Sequence, residues 1–117
     1  MDQQLLDSTL RADLTTALRA RDQVRVHAIR AALSAIANAE APPAPADSSV
    51  EPIVGQLVEH ERRRLTRDDL RGILQAEVDE RDRAAEEYRS LGRDDEADRM
   101  NAEGEVLRGY LAPGATE

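Results

Sequence analysis

The stretch that decides the fold runs from residue 66 to residue 111 and reads TRDDLRGILQAEVDERDRAAEEYRSLGRDDEADRMNAEGEVLRGYL. Apolar residues recur in it at spacings of three and four, which is the period of a helix that buries one face. The first run comprises Leu70, Ile73, Leu74, Val78, Arg81, Ala84, Ala85, Tyr88 and Leu91, with Arg81 as its one charged member, and the second comprises Ala97, Met100, Gly104, Leu107 and Leu111. The pattern predicts helices near 67–91 and 94–111, which must pack antiparallel because the turn between them is so short.

Local signals mark where these two helices begin and end. Thr66 precedes Asp69 by three residues, a spacing typical of an N-terminal helix cap. Gly92 favours the left-handed conformation that ends many helices, and the acids at 94–96 suit the start of a new one. Gly104 lies on the predicted seam, where a missing side chain would let another backbone approach closely.

Most charged residues of the predicted hairpin are expected to face solvent. Three acid–arginine pairs stand at the i,i+4 spacing, and each adds about 0.3 kcal/mol to the stability of an exposed helix. They are Glu77 with Arg81, Asp79 with Arg83, and Asp95 with Arg99. Residues 66–117 contain eight arginines and fifteen acids, so this part carries −7 of the net charge of −8.

Two further amphipathic helices are predicted near residues 3–20 and 23–40, and Asp22 is the expected cap of the second. In the first helix, one face carries Leu6, Leu10, Leu14, Ala17 and Leu18, and away from it lie Arg11, Asp13 and Arg19. The stripe of the second helix consists of Val26, Ile29, Leu33 and Ile36. His27 lies beside that stripe without a second His, Cys or suitably spaced acid nearby, which favours a structural role over a ligand or a base.

The chain between the helical pair and the hairpin has a different composition. Residues 41–52 hold four of the five prolines, which predicts an extended or disordered linker, and a short apolar patch of undecided structure follows at 53–58. A basic cluster comes next, formed by Arg62, Arg63, Arg64 and Arg67. It is a candidate contact for RNA or phosphate; the alternative is a solvated segment neutralised by Glu59 and Glu61.

Composition favours an all-α protein with a thin core. The 117 residues include no Phe, Trp or Cys and only two Tyr, so the core must come from Leu, Ile, Val and Ala, and thiol chemistry is excluded. We expect a four-helix arrangement with a long antiparallel C-terminal hairpin. The expected map is a helical pair at 1–40, a linker with a short apolar and basic segment at 41–65, and the hairpin at 66–117, all in one structural domain.

The sequence lacks the patterns of several kinds of catalytic and metal site. It has no His-Glu-x-x-His motif, no glycine-rich phosphate loop and no nucleophile elbow, although a Ser–His–acid arrangement stays open. Neither His27 nor His60 follows a Glu by three residues, as a di-iron bundle would require. We expect a non-catalytic protein without metal or cofactor. No stretch approaches the roughly 20 apolar residues of a membrane span, and no signal peptide is evident, so we expect a cytoplasmic protein without a membrane partner.

Two motifs resemble the YqeY family. The first is Val26-x-x-Ile29-Arg30-x-x-x-Ser34-Ala35-Ile36-x-x-x-Glu40; the second is Gly92-Arg93-Asp94 followed by Glu96-Ala97, Glu103, Glu105-Val106-Leu107 and Tyr110-Leu111. The resemblance extends from the first helix to Leu111, apart from the Pro-rich insert. In that family Pro directly follows Tyr-Leu, whereas here Ala112 precedes Pro113. Family members usually continue into a small second helical domain, so we expect a short form without that tail.

The resemblance implies a role next to tRNA amidation, without assigning a function to any residue. The family is related to the C-terminal part of the B subunit of the aspartyl/glutamyl-tRNA amidotransferase, a carbon–nitrogen ligase that uses glutamine as amido donor. The resemblance implies an accessory protein of tRNA amidation or translation. Its expected partner is the amidotransferase, or a tRNA that it contacts through another protein. A net charge of −8 predicts weak or no tRNA binding by the protein alone. The alternative is an acidic helical module that binds another protein or its own copies, with no tRNA role.

Overall fold

The protein is described here by a computed structural model that covers residues 2–41 and 64–112. It contains the helices α1 (Gln3–Ala20), α2 (Gln23–Glu40), α3 (Arg67–Ser90) and α4 (Asp94–Leu111), and no strand within those two ranges. The all-α prediction is therefore confirmed, and the predicted helix bounds differ only at Leu91, which lies just outside α3. Beyond Ala41, the predicted linker and the apolar patch at 53–58 lie outside the described residues.

Helix α2 lies at the centre of the molecule. Helices α3 and α4 form the predicted antiparallel hairpin, α2 packs against both of them, and α1 packs against α2. Ala28 and Ala32 of α2 are fully buried, so small side chains stand where α2 has neighbours on several sides. The core consists of Leu6, Leu10, Ala28, Ile29, Ala32, Ile36, Leu65, Leu70, Leu74, Val78, Leu107 and Tyr110.

Leu65 belongs to this core although the sequence placed it in the linker segment. Its side chain is 6% exposed, and its backbone N–H donates to Oε1 of Gln3 at 3.1 Å. The amide nitrogen of Gln3 donates to Oε1 of Glu40 at 2.8 Å. Gln3 therefore joins the start of α1, the end of α2 and the entry to α3.

The apolar face of α1 is narrower than predicted. Leu6, Leu10 and Ala17 are buried and Leu14 is half-buried, but Leu18 is 47% exposed. The prediction was wrong for Leu18 because it lies at the edge of the apolar stripe, one residue and about 100° beyond the buried Ala17.

The cap and the turn of the hairpin are as predicted. Thr66 Oγ1 accepts the N–H of Asp69 at 3.0 Å, and Asp69 Oδ2 accepts the N–H of Thr66 at 2.9 Å, which makes a reciprocal capping box. Gly92 has φ of 74°, and the N–H groups of Gly92 and Arg93 donate to the carbonyls of Arg89 and Tyr88, the Schellman pattern. The Arg93 guanidinium lies 5.2 Å from the centre of the Tyr88 ring, in place of the usual apolar contact.

Alanine at Gly92 and alanine at Gly72 are expected to change stability in opposite directions. Gly92→Ala should lower the free energy of unfolding by about 1–2 kcal/mol because its left-handed backbone strains an L side chain. Gly72→Ala, in α3 with nothing within 4 Å of the added Cβ, should raise it by about 1 kcal/mol because alanine favours helix. Urea unfolding of both variants measures this. A Gly92→Ala protein as stable as the wild type, or more stable, would contradict the turn geometry.

Gly104 does not allow the close approach of another backbone that was predicted for it. A Cβ at this position would meet Asp82 Oδ1 at 3.6 Å, Arg108 Nη1 at 3.8 Å and Arg81 Cβ at 3.9 Å, which are ordinary contact distances. Its nearest neighbours are thus side chains of the hairpin rather than another backbone, and the predicted backbone approach was wrong.

Candidate functional site

The predicted basic cluster is only partly within the described residues. Arg64 and Arg67 are both exposed and stand on either side of the buried Leu65. Arg62 and Arg63 lie outside the described ranges, so their contact with RNA or phosphate stays a prediction.

Arg64 lies at the edge of a groove of about 600 Å³ between the start of α1 and the end of α2. Apolar side chains in its lining are Leu33, Ile36, Ala37 and Leu65, and charged ones are Asp2, Asp7, Arg11, Glu40 and Arg64. Arg11 is engaged by Asp7, with Nε 2.9 Å from Oδ2. Three carboxylates against two guanidinium groups make this groove a poor environment for a phosphate.

A buried charge network inside the hairpin is the main polar feature that the sequence interpretation missed. Glu103 of α4 is only 4% exposed, and its Oε1 accepts a hydrogen bond from Nε of Arg81 in α3 at 3.2 Å. Nη1 of Arg81 donates to Oε1 and to the backbone carbonyl of Glu77, both at 3.0 Å. The Glu77–Arg81 pair exists as predicted, but its side chains are only 19% and 12% exposed, so its assignment to the solvated face was wrong. The available signal was the position of Arg81 on the apolar stripe.

Arg99 extends this network to α2. Its Nε lies 3.5 Å from Oε2 of Glu103, and its Nη2 lies 2.7 Å from Nδ1 of His27. The guanidinium donates, so this contact requires the His27 tautomer with its proton on Nε2. Arg99 thus binds Glu103 in place of the predicted partner Asp95, and His27 connects α2 to the hairpin.

The predicted pair between Asp79 and Arg83 is also replaced. Oδ1 of Asp79 accepts a hydrogen bond from Nε2 of Gln75 at 3.0 Å. Both partners lie on the exposed side of α3, so the surface assignment of Asp79 holds although the partner differs.

Asp13 and Tyr110 connect α1 to α4. The Tyr110 hydroxyl donates to Oδ2 of Asp13, and the Tyr110 side chain is 7% exposed. Burial raises the pKa of Tyr110 and the bond to Asp13 raises it further, whereas nearby Arg25 opposes the shift. Asp13 was predicted to lie away from the apolar face, but it is half-buried. It stands three residues after Leu10 and four before Ala17, so it belongs to the flank of the buried face.

This pKa shift predicts a loss of stability in alkaline solution. Tyrosine in an unfolded chain ionises near pH 10, and Tyr110 ionises at higher pH in the folded protein. Its contribution to stability is therefore fully present below about pH 10 and is lost as pH rises toward the folded pKa. Urea unfolding between neutral pH and about pH 11 should show this decline.

The matched variants for this titration are Tyr110→Phe and Tyr88→Phe. Tyr110→Phe should show a shallower decline above about pH 10 because the ionising group is gone. Tyr88→Phe retains Tyr110 and Asp13 and should keep the wild-type decline. Equal slopes in all three proteins would show that Tyr110 is not responsible.

Neither a metal centre nor a membrane span is present in the part of the chain that the structure describes. Within residues 2–41 and 64–112, no group of three or more His, Cys, Asp or Glu side chains is placed to hold a metal ion. Likewise, none of the four helices has the length and apolar character needed to cross a bilayer.

Comparison with known proteins identifies the family of the chain. The family model described as Yqey-like protein matches residues 7–117, which include α2, α3, α4 and most of α1. Comparison with curated proteins and with solved structures gives no match. The match covers nearly the whole sequence, and this chain therefore belongs to the Yqey-like protein family.

Proposed function

We propose that this protein is a non-catalytic accessory of glutamine-dependent tRNA amidation, or of translation around it, and that it acts by binding the amidotransferase. The observation that carries the proposal is the family match over residues 7–117. The motifs at Val26–Glu40 and at Gly92–Leu111 resemble a family related to the C-terminal part of the amidotransferase B subunit. That relationship favours contact with the enzyme over a separate reaction.

The charges of the hairpin favour a protein partner over direct contact with tRNA. Of the eight arginines in residues 66–117, five form an ion pair with a carboxylate of the same chain. They are Arg81, Arg89, Arg93, Arg99 and Arg108. Affinity for nucleic acid depends on arginines and lysines that neutralise phosphates and release counterions. A region of net charge −7 whose arginines are mostly engaged supports little of that binding.

A gel-shift titration with tRNA tests this division of roles. The purified protein alone should leave tRNA unshifted at physiological salt, and the mixture of tRNA and amidotransferase should be shifted further when the protein is added. A variant with Arg62→Ala, Arg63→Ala and Arg64→Ala serves as the control and should behave as wild type. Submicromolar, salt-sensitive binding of tRNA by the protein alone, abolished in that variant, would overturn the proposal and make the basic cluster the functional site.

An acidic interaction module without a tRNA role is the second candidate, and one observation favours it. Leu91 at the turn of the hairpin is 66% exposed, which among the residues that the structure describes is more than Leu5 at 43% and Leu18 at 47%. The Gly92 turn holds it in place, and exposed Asp94 and Asp95 follow. The test is a Leu91→Ser variant. Loss of a bound protein other than the amidotransferase, from a complex without tRNA, would favour this function.

A further inference from the structure

Two neighbouring cavities share the side chains of Asp13 and Arg25. The first, of about 280 Å³, lies between α1, α2 and α4 and is also lined by Thr9, Glu105, Val106, Gly109 and Tyr110. The second, of about 260 Å³, lies between α1 and α2 and is also lined by Asp22. One carboxylate and one guanidinium group thus stand at the junction of both cavities.

Asp13 and Arg25 both retain capacity for further hydrogen bonds. The half-buried carboxylate of Asp13 accepts the Tyr110 hydroxyl, and a carboxylate can accept several donors more. Arg25 has Nε 3.4 Å from Oδ2 of Asp22, and a guanidinium group carries five N–H donors. Tyrosine is protonated at neutral pH, so the Tyr110 hydroxyl donates to one oxygen of Asp13 and leaves the other oxygen for a ligand.

Gly109 leaves the wall of the first cavity open. It stands inside α4, where glycine is among the least favourable residues, and a Cβ added there would find no atom within 4 Å. Packing therefore does not explain the absence of a side chain at this position. Gly109 lines the cavity together with Asp13 and Tyr110, so a large residue at 109 is expected to narrow it.

We infer that the first cavity is a binding site for a small zwitterion of α-amino acid size, whose ammonium group contacts Asp13 and whose carboxylate contacts Arg25. The lining holds two acids and one base, but Glu105 is paired with Nη1 of Arg108 at 2.6 Å. Asp13 and Arg25 are therefore the charged groups left for a ligand, in a space at the lower limit of ligand-site volumes and too small for a nucleotide. Arg25 is 55% exposed, so binding should be in the millimolar range. This site is independent of the proposed accessory function, since it requires neither the amidotransferase nor tRNA.

Titration of the ¹⁵N-labelled protein with glycine, L-alanine and L-serine, followed by NMR, tests the site. Each zwitterion should cause saturable shifts of amide signals around Asp13, Arg25 and Gly109. Ethylamine and acetate, which carry one charge each, should bind at least about tenfold more weakly, since each loses one of two charge-assisted contacts. Absence of saturable shifts, or acetate binding as tightly as glycine at the same amides, would overturn the inference.

Three variants separate a binding site from general surface effects. Gly109→Leu fills the cavity and Asp13→Asn removes the negative charge, so both should lose the saturable shifts. Gly72→Leu places the same side chain at another open helical position that does not line the cavity, and it should bind as wild type. Gly109→Leu does not depend on the Asp13–Tyr110 contact, and undiminished binding by a folded Gly109→Leu protein would refute the assignment.

Discussion

Replacing Glu103 with Ala should lower the free energy of unfolding by about 3–5 kcal/mol, as expected when one partner of a buried ion pair is removed. The Glu103 side chain is 5% exposed and Arg81 is 12% exposed, so the substitution leaves a buried guanidinium with only Glu77 as a charged partner. Arginine cannot relieve this by losing its proton. Arg99 also loses its contact with Glu103, which weakens the connection between the hairpin and α2. Urea unfolding followed by circular dichroism measures the change.

Two further variants show whether burial of the charge is the cause. Glu105→Ala, two residues away and 71% exposed, removes only a surface pair with Arg108 and should change stability by no more than about 0.5 kcal/mol. The double variant Arg81→Met with Glu103→Leu removes both charges and should be more stable than Glu103→Ala. A Glu103→Ala protein as stable as Glu105→Ala would show that the network contributes nothing.

Leu74→Ala should lower the free energy of unfolding by about 2–5 kcal/mol. Leu74 is fully buried in α3, within the core that also contains Leu70, Val78 and Leu107, and its truncation leaves a cavity there. The same substitution at the exposed Leu91 is the control and should change stability by no more than about 0.5 kcal/mol. Equal losses in the two variants would contradict the assignment of the core face.

The helices could be predicted because their signals are local. Three local signals determine helix boundaries through contacts with the nearby backbone. They are Thr66 with Asp69 at the start of α3, Asp22 at the start of α2, and Gly92 at the end of α3. The period of the apolar residues then decides which face is buried. Leu18 was misassigned because it lies at the edge of its stripe, where the position of the neighbouring helix, rather than the period, decides exposure.

The polar contacts between helices could not be predicted because they depend on how the helices are arranged in space. Glu103 binds Arg81, which lies 22 residues earlier in the sequence, and Tyr110 binds Asp13, which lies 97 residues earlier. Spacing rules within one helix assign charged residues to neighbours on the same helix, as for Arg99 with Asp95. In the structure Arg99 instead contacts Glu103 and His27, and the contact with His27 is possible because α2 packs beside α4.

The central claim is that the protein associates with the amidotransferase. The most direct test is to recover its partners from native lysate with the tagged full chain. The proposed function predicts that amidotransferase subunits, identified by mass spectrometry, are enriched over the tag alone and remain enriched after nuclease treatment. Leu91→Ala, which leaves the core intact, reports whether the hairpin tip contributes to that enrichment. Recovery of tRNA without amidotransferase subunits, or of neither, would contradict the proposed accessory function.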